Sequence, residues 1–239
     1  MSNKMKNYGM LLMDYFNGDS CAQQIMERDD GKVIKIPISV YFRNFEELLP
    51  VEKNFLKYCK GDILCVGAGT GIHSLIMQEN QFDVLALDIS EEACKIMKKR
   101  GVKKVKCIDF NIFKGETFDT VVLLGRNIGM VGTLDKLEGF LLQLKSCLKE
   151  KGHILLDSFD LKYSQDETDI NYMKMNEKSN RYYGEVSYRM IYNEARGEMF
   201  NWLYIDFSTL RNFAAKVNLV CEMLEKDEEG NYLARLKMV

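Results

Sequence analysis

The sequence predicts an α/β fold in which a mostly parallel sheet is followed by an antiparallel C-terminal hairpin. From Pro50 onward, short apolar runs alternate with segments that carry helix signals, a pattern typical of parallel strands covered by helices on both faces. The last stretch differs, because two extended arms, Leu219 to Glu225 and Tyr232 to Met238, flank a polar turn. Such a pair indicates a hairpin.

The helices between Pro50 and Gly101 are predicted from residues that typically begin or end a helix. A helix is predicted over 50–60, because Pro50 suits a first helical turn and Gly61 lies just past the end. Another is predicted over 71–80. A third begins after Ser90, a favoured N-cap residue, and ends at Gly101. The five strands that alternate with helices are predicted at Asp62–Val66, Asp83–Leu87, Lys104–Ile108, Thr120–Leu124 and Ile154–Leu156.

A long helix and a small antiparallel insertion complete the prediction. The helix is expected over Leu134–Lys149, with a leucine stripe that includes Leu148 and with Gly152 as its end. Extended segments at Glu185–Asn193 and Met199–Asp206 form the insertion, and Ser208 is expected to cap a helix that ends at Val217. We therefore predict an N-terminal cap or lid segment, 1–49, and one domain, 50–239, with a substrate-cap insertion at about 160–207.

Composition excludes several classes of function. The chain has 239 residues, with 33 basic and 35 acidic side chains and a net charge of −2, so no overall charge attracts it to nucleic acid or to a membrane. Its seven cysteines include no CxxC pair, and it has two histidines, which argues against a zinc knuckle and a histidine-rich metal site. No apolar run reaches the length of a membrane span. We expect no metal and a reducing, cytoplasmic setting.

The most informative segment is a glycine loop directly after the first strand of the domain. It reads Gly67-Ala68-Gly69-Thr70-Gly71 and opens a helix. Glycine is needed where the backbone turns tightly and a ligand approaches closely. The spacing is GxGxG, and Ile72 stands where a nicotinamide fingerprint has its last glycine. The loop also has no lysine, so it is not a nucleoside-triphosphate loop.

Two carboxylates follow the next two strands. Asp88 lies 21 residues after Gly67, where an acidic residue can accept hydrogen bonds from both ribose hydroxyls of a nucleoside. Asp109 ends the following strand and can reach the exocyclic amine of an adenine, with Phe110 or Ile89 packed on the ring. A ribose and adenine site without a phosphate partner points to an adenosine ligand that has no phosphates.

These residues resemble the class I S-adenosylmethionine-dependent methyltransferases, and the resemblance covers about residues 50–160. It implies a Rossmann-like, seven-stranded sheet and S-adenosyl-L-methionine as cofactor. It also implies that the loop glycines face the methionine part, Asp88 the ribose and Asp109 the adenine, and that Gly125-Arg126-Asn127 borders cofactor and substrate. Further segments resemble a bacterial subgroup with poorly defined substrates: YGMLLMDYF, ERDDG and FNWLYID.

Two features leave other functions open. The family usually has an acid two residues before the first glycine, where this chain has Cys65, so a non-catalytic nucleoside-binding or interaction module is one alternative. Seven basic residues lie between Lys95 and Lys106, which suits an RNA or protein methyltransferase or simply a solvated helix end. His73 either contacts cofactor or substrate, or is a partly exposed first-turn histidine.

The acceptor is expected to be a small molecule methylated at O, N or S. Seven of the 12 tyrosines lie between Tyr163 and Tyr204, and aromatic side chains suit a partly apolar molecule or a cation. Asp157 and Asp160 are candidate general bases, and His153 is expected to be structural. The two prolines, Pro37 and Pro50, precede the glycine loop. The proline-containing motifs of the amino- and cytosine-C5-methyltransferases are therefore absent.

Overall fold

The computed structural model describes residues 6–239, so the first five residues of the predicted cap segment lie outside the described residues. The α-helices are α1 (Lys6–Phe16), α2 (Pro50–Lys53), α3 (Ile72–Glu79), α4 (Glu91–Arg100), α5 (Leu137–Ser146), α6 (Glu167–Lys178) and α7 (Phe207–Lys216). The strands are β1 (Gln23–Arg28), β2 (Val33–Pro37), β3 (Asp62–Val66), β4 (Asp83–Asp88), β5 (Lys104–Cys107), β6 (Phe118–Leu123), β7 (Leu148–Phe159), β8 (Glu185–Tyr192), β9 (Ala195–Arg196), β10 (Phe200–Leu203), β11 (Leu219–Lys226) and β12 (Asn231–Met238).

A seven-stranded sheet confirms the predicted fold class. Its strand order is β11-β12-β7-β6-β3-β4-β5. β4 and β5 are parallel, as are β6 and β7, whereas β12 is antiparallel to both β7 and β11. The carboxyl ends of parallel strands meet at one edge of a sheet, which is where open α/β sheets bind ligands.

A second, antiparallel sheet has the order β10-β8-β1-β2, with β9 paired to β8. The predicted extended segments of the insertion are confirmed by β8 and β10, which are neighbours in this sheet, whereas β9 lies in the predicted turn between them. Two strands were missed, because β1 and β2 lie in a segment predicted only as a cap. β1 pairs with β8 across more than 150 positions of sequence, a contact that leaves no local signal. It also pairs with β2 across the short turn at 29–32, and that hairpin is a local pattern that the prediction missed.

The chain divides into two compact units. The first unit contains Met1–Leu48, Cys65–Ile112 and Ser187–Phe200. The second contains Leu49–Leu64, Phe113–Val186 and Asn201–Val239. In the first unit, the ends of α4 confirm the local prediction. Ser90 Oγ accepts a hydrogen bond from Ala93 N, and Gly101 ends the helix in the left-handed conformation.

The predicted helix over Leu134–Lys149 is wrong at its C-terminal end. The α-helix ends at Ser146, and Leu148 is the first residue of β7, paired with Phe118. The pairing skips four residues of β7 before it resumes at His153 with Thr120. Lys149, in that bulge, donates to Asp62 and Asp119 at 2.7 Å each. Leucine spacing alone cannot distinguish the end of a helix from the start of a buried strand.

Two other predicted boundaries also change. The helix over 50–60 is a single α-turn, α2, followed by a 3-10 helix over Asn54–Tyr58. Asp206, not Ser208, caps α7, because its Oδ1 accepts a hydrogen bond from Thr209 N at 3.0 Å. Burial by itself would raise the pKa of Asp206, but hydrogen bonds from Ser208, Thr209 and Tyr182 outweigh it and hold that pKa well below its usual range.

Candidate cofactor site

Two loop glycines between β3 and α3 have different surroundings. At Gly71, with φ of +90°, an added Cβ would lie 2.8 Å from Val102 Cγ2 and 3.1 Å from Met97 Cγ. Gly71 is therefore required for packing as well as for its backbone conformation. At Gly69, with φ of +57°, the one atom of residues 6–239 within 4 Å of such a Cβ is the Tyr8 hydroxyl oxygen, at 3.6 Å. The missing side chain of Gly69 thus leaves space in front of the loop.

Asp88 ties this loop to the end of β4. Its side chain is 8% exposed. Its Oδ2 accepts a hydrogen bond from Gly69 N and its Oδ1 accepts one from Ser90 N, both at 2.8 Å. Burial raises the pKa of Asp88 to about 6, although the backbone N–H groups of Ser90 and Gly69 oppose the shift. A buried carboxylate that borders the glycine loop is suited to bind the hydroxyls of a sugar.

Cys65 does not perform the role expected of an acid at its position. The residue is buried in β3, and burial raises the pKa of its thiol to about 11, so the side chain is neutral. Asp62 is no substitute, because it is exposed and ion-paired with Lys149. The loop is bound to the end of β4 by the hydrogen bond from Gly69 N to Asp88 Oδ2.

The other residues predicted for the adenosine end lie near Asp88. Ile108 N donates to Asp88 O at 2.9 Å, which places the end of β5 beside the end of β4. Asp109 Oδ1 accepts hydrogen bonds from Asn111 N and Nδ2, both at 2.9 Å. Phe110 is buried and Ile89 is half-buried. His73 is buried in the first turn of α3 rather than partly exposed.

The N-terminal segment lies over the glycine loop. Thr70 Oγ1 donates a hydrogen bond to Tyr41 O. Arg100 donates to Thr70 O at 2.9 Å and contacts Thr70 Oγ1 at 2.8 Å. The rings of Tyr8 and Tyr41 pack edge to face with 5.4 Å between their centroids. Tyr8 and Tyr41 lie in the predicted cap segment, 1–49, although neither was predicted individually as a site residue.

A separate cluster in the second unit surrounds the segment after β6. Asp157, 3% exposed, accepts hydrogen bonds from Gly125 N at 3.2 Å and Arg126 N at 2.7 Å. Arg126 has a φ of +62°, a left-handed conformation that is uncommon outside glycine. Its guanidinium donates to Asn231 Oδ1 at 2.6 Å and lies 5.0 Å from the centre of the Phe159 ring. Asn127 begins the short 3-10 helix that follows.

Comparisons with known proteins agree with this geometry. The family model described as a methyltransferase domain matches residues 39–221, more than half of the chain. A solved S-adenosylmethionine-dependent methyltransferase from Bacteroides fragilis, in complex with S-adenosyl-L-homocysteine, is 31% identical. The match covers 100% of this chain and 97% of that one, with a TM-score of 0.86. The chain belongs to the S-adenosylmethionine-dependent methyltransferases.

More distant structures share the fold of this methyltransferase. The complex of DhpI with S-adenosylhomocysteine is 15% identical, with a TM-score of 0.63, and the match covers 99% of this chain and 95% of that one. CalS10, an amino pentose methyltransferase from Micromonospora echinaspora, is 15% identical, with a TM-score of 0.52 and coverage of 78% and 86%. A search of curated protein sequences finds no significant match.

The candidate general bases of this methyltransferase are already hydrogen-bonded. Asp157 holds the backbone at Gly125 and Arg126. Asp160 Oδ1 accepts from the Tyr183 hydroxyl at 2.8 Å and from Lys162 N at 3.0 Å. His153 bonds through Nε2 to Tyr58 O at 2.8 Å, and burial lowers its pKa to about 4, which agrees with the structural role expected for it.

None of the helices in the described part of the methyltransferase combines the length and the apolar character needed to cross a membrane.

Proposed function

We propose that this methyltransferase binds S-adenosylmethionine at the glycine loop and the ends of β4 and β5, and that it methylates a small molecule at O, N or S. The observation that carries the proposal is the cover that the N-terminal segment forms over the loop, through Tyr8 and Tyr41. A covered cofactor site excludes water and favours an acceptor small enough to enter beside the cover. In this proposal, segment 1–49 is the cap of the domain at 50–239.

Asp88 and Gly69 support the position of the cofactor. The carboxylate of Asp88 lies at the end of a parallel strand, nearly buried, with its oxygens directed at loop backbone N–H groups. A charged acceptor in such a place binds vicinal hydroxyls more strongly than a neutral one does. For the adenine, the proposed contacts are the acidic side chain of Asp109 and the apolar surfaces of Phe110 and Ile89. Gly67, Ala68 and His73 complete the proposed contacts on the loop side.

The cluster around Arg126 is our candidate for the acceptor side. When bound, S-adenosylmethionine supplies an activated methyl group for in-line transfer, so the residues of the chain mainly orient the acceptor and exclude water. Gly125, Arg126 and Asn127 follow a strand of the parallel sheet, and Asp157 holds two of their backbone N–H groups. We propose that Asp157 positions this segment rather than accepting a proton from the acceptor.

The basic run over 95–106 gives little support to an RNA or protein acceptor. Arg100 is bound to Thr70, and Lys99 lies 5.6 Å from the centre of the Phe16 ring. Lys104 is paired with Asp83 at 2.6 Å, and Lys95 lies 3.9 Å from Glu91. Four of the seven cations are thus in contact with neighbouring side chains or backbone, which favours a structural role for the run.

The proposal is tested by following the methyl group. The purified protein is incubated with methyl-labelled S-adenosylmethionine and a cell extract separated into a metabolite filtrate, an RNA fraction and a protein fraction. We expect label to enter the filtrate in a reaction that excess S-adenosylhomocysteine inhibits. Label confined to RNA or protein would contradict the small-molecule acceptor. Absence of cofactor binding in isothermal titration would contradict the proposed cofactor site.

Binding of S-adenosylhomocysteine is expected to weaken as the pH falls below about 6. The raised pKa of Asp88 means that its carboxylate becomes protonated in this range, and the neutral form is the poorer acceptor for ribose hydroxyls. The affinity should decline by up to about tenfold per pH unit. Titration calorimetry across the range from neutral to mildly acidic pH measures this slope, and the Asp88→Asn variant should show a flatter one.

The raised pKa of Asp88 has the opposite effect on the stability of the unliganded protein, which should increase as the pH falls. The pKa of Asp88 is higher in the folded state than its ordinary value of 3.8, so the folded state binds the proton more tightly than the unfolded state does. The contribution of this residue to the free energy of unfolding should therefore rise as the pH falls through about 6 towards 3.8. Equal pH slopes of unfolding for the wild type and Asp88→Asn would contradict this assignment.

A further inference from the structure

The guanidinium of Arg126 is half-buried and is held by neutral groups. It donates one hydrogen bond, to Asn231 Oδ1 at 2.6 Å, and lies over the ring of Phe159. Within residues 6–239, Arg126 forms no ion pair with a carboxylate. A guanidinium carries five N–H donors in a planar fork, so most of the donors of Arg126 are available to a ligand.

The other arginines of the second unit are in different situations. Arg181 Nε lies 3.5 Å from Glu185 Oε2, and Arg235 Nη2 lies 2.7 Å from Glu222 Oε2. Arg211 is exposed to water. Arg126 alone among these side chains is half-buried without a counter-charge from residues 6–239, and withdrawing a charge from water is unfavourable unless a partner compensates for it.

The hydrogen bonds around Arg126 fix its position in advance. Asp227 Oδ1 accepts from Asn231 N at 2.9 Å, and Asp227 Oδ2 accepts from Asn231 Nδ2 at 2.8 Å. The amide of Asn231 is therefore oriented with its oxygen towards the guanidinium. Asp157 holds the left-handed backbone of Arg126 in the same way, through the N–H group. A side chain held before a ligand arrives loses little freedom on binding.

Aromatic surface adjoins the guanidinium. The rings of Phe159 and Tyr204, both half-buried, meet edge to face with 6.1 Å between their centroids. Arg126 lies 5.0 Å from the centre of the Phe159 ring. A planar guanidinium recognises carboxylates and phosphates through paired N–H groups, and the neighbouring rings suit an apolar part of the same molecule.

We infer that Arg126 binds the methyl acceptor and that the acceptor carries a carboxylate or a phosphate group beside an apolar part. The inference rests on the proposed function, in which this cluster forms the acceptor side. It names the chemical class of the acceptor. In this assignment Asn231 and Asp157 are positioning residues, because they hold Arg126 and do not touch the acceptor.

The test modifies the metabolite filtrate before it meets the wild-type enzyme and methyl-labelled S-adenosylmethionine. One portion is treated with carbodiimide and methylamine, which convert carboxylates into neutral amides. A second is treated with phosphatase, and a third receives both treatments; each has a mock-treated control. We expect label incorporation to be lost in the third portion, and the first two distinguish a carboxylate from a phosphate. Undiminished labelling after both treatments would overturn the inference but leave methyl transfer to a small molecule standing.

Variants of two arginines assign the binding to a residue. Arg126→Gln should lower the labelling rate at limiting acceptor by about ten- to 150-fold, the loss expected for a hydrogen bond between charged groups, with S-adenosylhomocysteine affinity unchanged. Arg235→Gln is the matched control, because Arg235 also lies near a ring, that of Tyr58, but is paired with Glu222. It should label at the wild-type rate. A wild-type rate in Arg126→Gln, or an equal loss of S-adenosylhomocysteine affinity, would overturn the role of Arg126.

Discussion

Replacement of Asp88 by alanine is expected to weaken S-adenosylhomocysteine binding by about 1.5–3 kcal/mol for each ribose hydrogen bond lost, or roughly ten- to 150-fold. The physical reason is that the carboxylate is nearly buried, so water cannot replace the missing acceptor. The variant also removes the acceptor that holds Gly69 N and Ser90 N, which loosens the loop itself. Isothermal titration at neutral pH measures the change.

Two further variants separate binding from folding. Asp88→Asn retains an acceptor oxygen without the charge and should fall between the wild type and Asp88→Ala. Asp83→Ala lies at the opposite end of β4, where the carboxylate is exposed and paired with Lys104, and it should leave the affinity unchanged. If the affinity of Asp88→Ala for S-adenosylhomocysteine lies within twofold of the wild type, the proposal that Asp88 binds the ribose is wrong.

Replacement of Gly71 by alanine is expected to lower the free energy of unfolding by about 2–5 kcal/mol. A left-handed backbone costs an alanine about 1–2 kcal/mol. The new methyl group would also overlap Val102 and Met97, and overpacking of a core adds about 1–3 kcal/mol. Urea unfolding measures the difference, provided that the dependence on urea concentration is the same in both proteins.

Gly101→Ala is the matched control for this prediction. Its φ of +98° resembles that of Gly71, but no atom in the described part of the chain lies within 4 Å of the added methyl group, so only the backbone cost of about 1–2 kcal/mol should appear. Val102→Ala combined with Gly71→Ala should recover part of the overlap term, which a double-mutant cycle isolates. If Gly71→Ala and Gly101→Ala destabilise the protein equally, the packing role of Gly71 is wrong.

Most of the elements from β3 to β12 could be predicted because they carry local signals, but α6 and the short strand β9 were not predicted. Ser90 and Gly101 bound α4 through interactions within a few residues of themselves. The predictions that failed depended on distant partners. Leu148 continues the leucine stripe of α5, yet it joins a strand because Phe118 pairs with it from β6. Ser208 and Asp206 are both favourable N-cap residues. The hydrogen bond from the Tyr182 hydroxyl to Asp206 is a tertiary contact, so the sequence does not reveal it.

The residues of the candidate site likewise fall into those that local spacing predicts and those that depend on contacts between distant segments. The glycine loop, Asp88 and Asp109 could be found by spacing, because a parallel strand, its loop and the next strand end are connected by short segments of chain. Tyr8 could be predicted only as part of the cap segment 1–49, since about 60 residues separate it from Gly69 and spacing indicates no contact across that distance. Similarly, the sequence offers Asp157 as a base, whereas its bonds to Gly125 and Arg126 are visible only after β6 and β7 are paired.

By itself, the sequence determined the parallel α/β fold with its terminal hairpin, the adenosine-type loop and the likeness to methyltransferases, because these depend on residue type at short separations. Only the tertiary structure decided that Asp88 is hydrogen-bonded to the loop, that Gly71 serves packing, and that α1 brings Tyr8 next to Gly69. Those outcomes depend on which side chains meet after the strands have been arranged, and contacts between distant segments are set by the packing of the whole unit.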